Sequence, residues 1–304
     1  MTEKSLSRRG ILKRGAALIA GTTGLAAIRP PLSASAQSRR GPKNMRISLA
    51  AYSFRQALTG GRMDLFKFID WCARINISGV ELTSYYFPEE FDRKYLRELK
   101  HRVLDKGLTV SGTAIRNNFC LPKGPEKQKE IDHVKRWIDY AAEFYAPHIR
   151  IFAGELPDGT DHGTGVSWVA DGIRECLGHA EERGVFLGVE NHGHFTSKVE
   201  DHLAICNAVG EHDWFGINLD TGNYRTNPYE SIEQAAPLAV NVQYKVEVYK
   251  SEDGVKEPAD LTRIRDILVK ARYQGWIALE YEADGDPFIA IPDIVNEMKE
   301  FFEG

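Results

Sequence analysis

The chain is poor in cysteine, with four in 304 residues. Cys72, Cys120, Cys176 and Cys206 lie far apart and form no C-x-x-C pair, which argues against a cysteine zinc site. Three of the four fall in segments with a helical pattern, where cysteine is ordinarily a small buried apolar residue, so no disulfide framework is expected. Positive charge is not in excess either. Thirty-nine Lys and Arg against 43 Asp and Glu leave a net charge of −4, and no basic stripe appears. A nucleic-acid partner is therefore not expected. Beyond the N-terminus no apolar run is long enough to span a bilayer. Also missing is a G-x-G-x-x-G turn after the first strand pattern. The segment "AYSFRQALTGGR" offers only Gly60-Gly61, which counts against an open doubly wound sheet.

What is present begins with the N-terminus, "SLSRRGILKRGAALIAGTTGLAAIRPPLSASAQ". Arg8-Arg9 precede a Gly/Ala-rich apolar run, and Ala34-Ser35-Ala36 offers a small-residue cleavage site. The order resembles a twin-arginine export signal. The expectation is a signal peptide at 1–36, a mature catalytic domain at 37–304, and an exported, periplasmic protein. A membrane anchor or a basic tail is the alternative. The run is short, weakly apolar and interrupted by Arg14, so no stable membrane insertion is expected after cleavage.

Eight short apolar runs then alternate with longer helical patterns. The runs are 45–54, 77–85, 108–115, 148–154, 185–193, 214–223, 239–248 and 276–284, rich in Val, Ile, Leu and Phe. Strands covered by helices on both faces have this composition. Helical spacing is clearest over 63–75, 126–146, 166–184, 258–275 and 292–304. Eight strand–helix units predict an α/β fold, a single-domain (β/α)8 TIM barrel. The polar stretch 154–166 reads as a loop over its active-site face.

Alternate strand residues of a barrel point inward, and those at the C-terminal ends enter the active site. In the fifth run Val185, Leu187 and Val189 share one face, leaving Glu190 and His192 on the other. The same period puts Asp220 inward in the sixth, Gln243 and Lys245 in the seventh, and Glu280 and Glu282 in the eighth. Glu81 and Arg150 are inward candidates from the second and fourth. Three carboxylates meeting in one volume would repel unless a cation joined them. Oxygen donors suit Mg²⁺ or Mn²⁺, with Co²⁺ and Zn²⁺ as alternatives. Each residue alone is equally compatible with a solvated strand end; four on successive strands at matching positions are not.

With Glu190 in "VENH", Asp220 in "LDTGN" and Glu280 in "LEYE", the ordered pattern over 45–304 resembles the sugar phosphate isomerase/epimerase superfamily, the xylose-isomerase-like TIM barrels. That resemblance implies one divalent metal held by Glu190, Asp220, Gln243 and Glu280. Gln243 and Asn223 stand where many members have His, which favours Mn²⁺ or Mg²⁺. It implies proton abstraction beside a carbonyl through a metal-stabilised enediolate, with Glu190, Glu280, His192 and Lys245 as catalytic candidates. Glu81, Arg150, His192 and Lys245 are the candidates for holding a carbohydrate substrate. A structural role for His192 and a salt bridge for Lys245 are the plain alternatives. Export favours an unphosphorylated sugar. Three functions stay open: an isomerase or epimerase, a 3-keto-glycoside lyase or hydrolase, and a non-catalytic sugar-binding barrel. Apurinic endonucleases share the barrel but need many histidines and a basic groove; this chain has nine His. Oligomeric state is open, a homo-oligomer included.

Overall fold

The computed structural model describes residues 45–303, so the predicted signal peptide at 1–36 lies outside the described residues. Chain order begins β1 (Arg46–Ala50), α1 (Arg55–Thr59), α2 (Leu65–Arg74), β2 (Gly79–Thr83), α3 (Arg93–Asp105) and β3 (Thr109–Ala114). It continues through α4 (Pro125–Glu143), β4 (His148–Phe152), α5 (His162–Arg183), β5 (Phe186–Glu190), α6 (Val199–Val209) and β6 (Phe215–Asp220). The last third holds α7 (Pro228–Ala235), β7 (Ala239–Tyr244), β8 (Glu247–Tyr249), β9 (Lys256–Pro258), α8 (Leu261–Lys270), β10 (Trp276–Leu279) and α9 (Pro287–Phe302).

Eight of the strands close in the order β1-β10-β7-β6-β5-β4-β3-β2, each parallel to its neighbours. This is the (β/α)8 barrel that the alternating runs predict. Outward residues such as Val80, Leu82, Leu187, Val189, Ile217 and Leu219 are buried under the helices. Helix starts have a common device. Asp64, Asp92, Asp161, Asp260 and Asp286 each accept a backbone N–H from the first turn. Such a cap satisfies a donor that the helix leaves unpaired.

Three boundaries differ from the sequence expectation. The stretch 154–166 is only half loop, because Asp161 starts α5 at His162. Pro287, not Pro292, opens the last helix, and Pro292 sits inside it. The seventh run breaks after Tyr244, and its tail forms an antiparallel hairpin, β8 with β9, outside the barrel. All four cysteines are free and buried, and Cys72, Cys176 and Cys206 lie within helices. Among the described residues no helix is long and apolar enough to cross a membrane.

The barrel interior is not wholly apolar. Glu81, Asn218, Asn241 and Gln243, all fully buried, form a closed ring of hydrogen bonds. Gln243 Nε2 donates to Glu81 Oε1 at 2.7 Å, and Asn218 Nδ2 donates to Gln243 Oε1 at 2.7 Å. Asn241 Nδ2 closes the ring on Asn218 Oδ1 at 2.8 Å and Glu81 Oε2 at 3.1 Å. His148 lies beside it, with Nδ1 donating to the Ser111 carbonyl at 3.0 Å and Nε2 3.8 Å from Glu81 Oε2. The imidazole fits only because residue 112 is glycine: a Cβ there would lie 1.8 Å from His148 Cε1.

Burial, reinforced by Glu280, pushes the Glu81 carboxyl from 4.5 up to about 7, against the hydrogen bonds of Gln243 and Asn241 and the charge of Arg150. The folded chain thus binds the proton more tightly than the unfolded chain does. The stability this gives is complete below about 4.5 and is lost as pH rises through about 7. The loss amounts to about 3 kcal/mol at most. Glu81→Gln removes the titrating group and keeps one of its two acceptor positions. Denaturant unfolding from pH 4 to 8 should show that the variant lacks this part of the decline. Superimposable profiles for the two proteins would contradict the assignment.

Candidate functional site

The period-two alternation of the strands brings charged side chains to the C-terminal mouth of the barrel. Arg150 comes from β4, Glu190 ends β5 and Asp220 ends β6. Lys245 follows β7, and Glu280 and Glu282 follow β10. All but Glu282 are at least nine-tenths buried.

Each carboxylate has a distinct set of partners. Glu190 Oε2 is 2.7 Å from Arg150 Nε, and its Oε1 accepts from Asn223 Nδ2 at 3.1 Å. Asp220 Oδ1 accepts from the Gly222 N–H at 2.8 Å. Asp220 Oδ2 has no hydrogen-bond partner and lies 3.5 Å from Lys245 Nζ. The same ammonium is 2.6 Å from Glu280 Oε2 and also contacts Glu282. Arg150 further donates to the Ile115 carbonyl at 2.7 Å and to the Tyr85 hydroxyl at 3.3 Å.

Backbone contacts hold this arrangement in register. Asn191 clamps the end of β6, accepting from the Asp220 N–H at 2.9 Å and donating to its carbonyl at 2.8 Å. Thr221 Oγ1 accepts the Lys245 N–H at 3.0 Å. Gly222 leaves room for the lysine stem, since a Cβ there would lie 2.6 Å from Lys245 Cγ.

The acids are crowded together out of water. Burial drives the Glu190 carboxyl well above the usual range, and Asp220 and Glu280 add to this while Arg150 opposes it. Burial also takes Asp220 up to about 7, with Glu280 and Glu282 reinforcing and Lys245 opposing. Burial alone would depress the Lys245 ammonium, but Asp220, Glu280 and Glu282 outweigh it and keep the lysine charged.

The side chains enclose a cavity of about 130 Å³ lined by Tyr85, Arg150, Glu190, His192, Lys245 and Glu280, among others. His192 stacks on Phe152 with centroids 4.1 Å apart. Burial, with Arg150 and Lys245 adding to it, lowers its pKa to about 4. The imidazole is neutral at pH 7 and available as a hydrogen-bonding group.

Five residues read from sequence therefore meet: Arg150, Glu190, Asp220, Lys245 and Glu280. His192 lines the same cavity. Two do not join them. Gln243, expected as the fourth metal ligand, spends its amide on Asn218 and Glu81. Glu81, expected to hold substrate, is fully buried in the ring within the barrel and does not line the cavity. Both point inward as expected, but donors and acceptors on β2, β6 and β7 face one another there and pair off. Sequence reasoning did not assign Asn223, Tyr85 or Asn191. Asn191 and Asn223 flank strand ends already singled out, which was the available signal.

A divalent cation is implied by the family pattern. Among the described residues no three His, Cys, Asp or Glu side chains are arranged as a ready cation cage. Lys245 lies between Asp220, Glu280 and Glu282 instead. The donor chemistry still suits a hard ion. Four carboxylates pair directly with only two cations, and a buried oxygen of Asp220 has no hydrogen-bond partner. Glu190, Asp220 and Glu280 are the residues that would hold the ion.

Lys245→Met tests this charge balance. In chelator at pH 7.5 it should cost about 3–5 kcal/mol in denaturant unfolding, the usual loss when one partner of a buried ion pair is removed. At pH 5 the loss should shrink as the carboxyls take up protons. A loss below about 1 kcal/mol at pH 7.5, the size of an exposed pair, would contradict it.

Similarity to known proteins agrees with this architecture. A family model described as a xylose isomerase-like TIM barrel matches residues 69–303. No curated protein matches the chain. Among solved structures, D-psicose 3-epimerase from Clostridium cellulolyticum H10 is 14% identical, with 84% of this chain and 91% of that chain covered and a TM-score of 0.66. The 3-keto-D-glucoside 4-epimerase of E. coli is 15% identical, with 84% and 99% covered and a TM-score of 0.65. A protein of Sinorhizobium meliloti 1021 is 21% identical, with 85% and 98% covered and a TM-score of 0.66. At these identities the likeness shows the fold alone. The family match runs from the second barrel unit to the last helix, and on that span the chain belongs to the xylose isomerase-like TIM barrel family.

Proposed function

We propose that this barrel is an enzyme that removes the proton beside the carbonyl group of an unphosphorylated sugar and returns it, as an isomerase or epimerase. One observation carries the reading: Glu190, Asp220 and Glu280 converge around Lys245 at the barrel mouth, where enzymes of this architecture place their chemistry. The family and its sugar-epimerase neighbours support it. The predicted export and the lack of a glycine-rich phosphate turn favour an unphosphorylated sugar. Export through the predicted 1–36 signal belongs to the same proposal.

The side chains have separate tasks. Glu190, raised by burial, is basic enough to accept a carbon-bound proton, and Arg150 and Asn223 hold its two oxygens in place. Glu280, held by Lys245, delivers or accepts the second proton. The Lys245 and Arg150 cations stabilise negative charge that develops on the substrate oxygen. Neutral His192 holds a hydroxyl group. A bound divalent ion, Mn²⁺ or Mg²⁺ by donor chemistry, would supply Lewis-acid polarisation of the carbonyl.

A second reading is elimination from a 3-keto-glycoside. In that reaction abstraction of the C2 proton expels the C1 substituent with its bonding electron pair, and the departing oxygen takes a proton. Its support is spatial. The 130 Å³ cavity is small, and a larger groove adjoins it where a leaving group would lie.

Proton NMR in D₂O separates the readings, using ketoses and 3-keto-glycosides with added Mn²⁺ or with chelator. Chelator-sensitive deuterium uptake without cleavage is the expected result. Release of the C1 substituent would establish elimination instead. Binding without exchange or cleavage on any sugar would leave a sugar-binding barrel and overturn both. Glu190→Gln and Glu280→Gln should each lower turnover by at least about 10²-fold in folded protein. Full activity in both variants would contradict the proton-transfer roles of the two carboxylates.

A further inference from the structure

A groove of about 840 Å³ adjoins the acidic cavity and is lined by Tyr52, Arg55, Gln56, Tyr85, Tyr86 and Arg116, among others. Tyr52, Tyr85 and Arg116 line both spaces, so the two are continuous. Their chemistry differs sharply. The cavity has Glu190, Glu280 and Glu282 in its wall, whereas no acidic side chain lines the groove.

The groove is an aromatic and cationic surface. Tyr52 and Tyr85 meet edge to face with centroids 6.3 Å apart, and Tyr85 meets Tyr86 at 6.2 Å. Arg116 lies 4.8 Å over the Tyr85 ring, and Arg55 lies 5.4 Å from the Tyr52 ring. Arg116 is exposed and has no carboxylate partner among the described residues, so its guanidinium is available to a ligand. The Tyr85 hydroxyl accepts from Arg150, which in turn pairs with Glu190. The groove wall therefore touches the reacting end of the site directly.

Size sets what the two spaces hold. A cavity of about 130 Å³ lies below the ~300–1,000 Å³ of pockets that enclose a whole small-molecule ligand, and the groove lies within that range. The reacting part of a substrate fits the cavity, and any remainder must extend along the groove. A second sugar ring would call for carboxylates and amides to grip its hydroxyls, and the groove offers only Gln56 of that kind. Tyrosine rings and flat guanidinium faces instead suit a planar, electron-rich ring.

We propose that the groove is a subsite for an aromatic aglycone, so that the substrate is an aryl 3-keto-glycoside whose keto-sugar end enters the cavity. The proposal rests on the carbohydrate chemistry proposed for the cavity and on nothing else from that reading. Titration calorimetry on the full-length protein tests it with unreactive analogues: 4-methoxyphenyl β-D-glucopyranoside, methyl β-D-glucopyranoside and cellobiose. The aryl glucoside should bind about tenfold tighter than the methyl glucoside. The double variant Tyr86→Leu/Arg116→Gln should narrow that gap to about twofold. Equal affinity for aryl and methyl glucosides, tightest binding of cellobiose, or an aryl advantage that survives in the variant would overturn it. Binding and turnover fail separately. An aryl preference without deuterium exchange leaves the subsite standing and removes the proposed reaction, and exchange without an aryl preference does the reverse.

Discussion

Four carboxylates crowd the mouth of this barrel and pair directly with two cations, Lys245 and Arg150, and that crowding governs the rest of the site. Lys245 answers three of the acids, Asp220, Glu280 and Glu282, while Arg150 answers Glu190. Burial first, and the neighbouring acids second, raise the proton affinity of Glu190 and Asp220. The arrangement persists because the surrounding chain allows little else. Asn191 ties the end of β5 to the end of β6, and Thr221 anchors the Lys245 backbone. Gly222 keeps open the path that the lysine stem follows. A site built this way holds its acids crowded before substrate arrives, which suits chemistry that needs both a strong base and a cation.

The ring of Glu81, Asn218, Asn241 and Gln243 lies within the barrel as part of the same electrostatic problem. Each amide satisfies a neighbour from another strand, so the ring fastens β2, β6 and β7 together from within. Unpaired polar groups buried at this depth are costly, and the ring satisfies all of its side-chain atoms except Asn241 Oδ1. Glu81 feels Glu280 through it, which couples the ring to the mouth.

Much of this was legible in the residue order. Eight apolar runs alternating with amphipathic segments indicate a closed parallel barrel, because only helices on the outside account for strands so uniformly apolar. Period two separates Val189 from Glu190 and Leu219 from Asp220, and it places Lys245 and Glu280 on the inner face. It says which way a side chain points but not what it meets there. Gln243 and Glu81 were read as site residues for that reason, and the structure pairs them with Asn218 and Asn241 instead. The β8–β9 hairpin and the early start of α5 were hidden because a short hairpin strand and a single Asp cap leave little periodic signal. The aromatic groove was equally invisible, since Tyr52, Tyr85 and Arg116 follow three separate strands, β1, β2 and β3, that only the closed barrel brings together.

We infer that the buried acids at the mouth form a cation-seeking cluster rather than a set of solvated strand ends. Anomalous diffraction from crystals soaked in Mn²⁺ is the most direct check. A single strong peak among Glu190, Asp220 and Glu280 is the expected result. No peak there, or a peak only on surface acids, would contradict the cluster and leave Lys245 and Arg150 as its ion-pair partners.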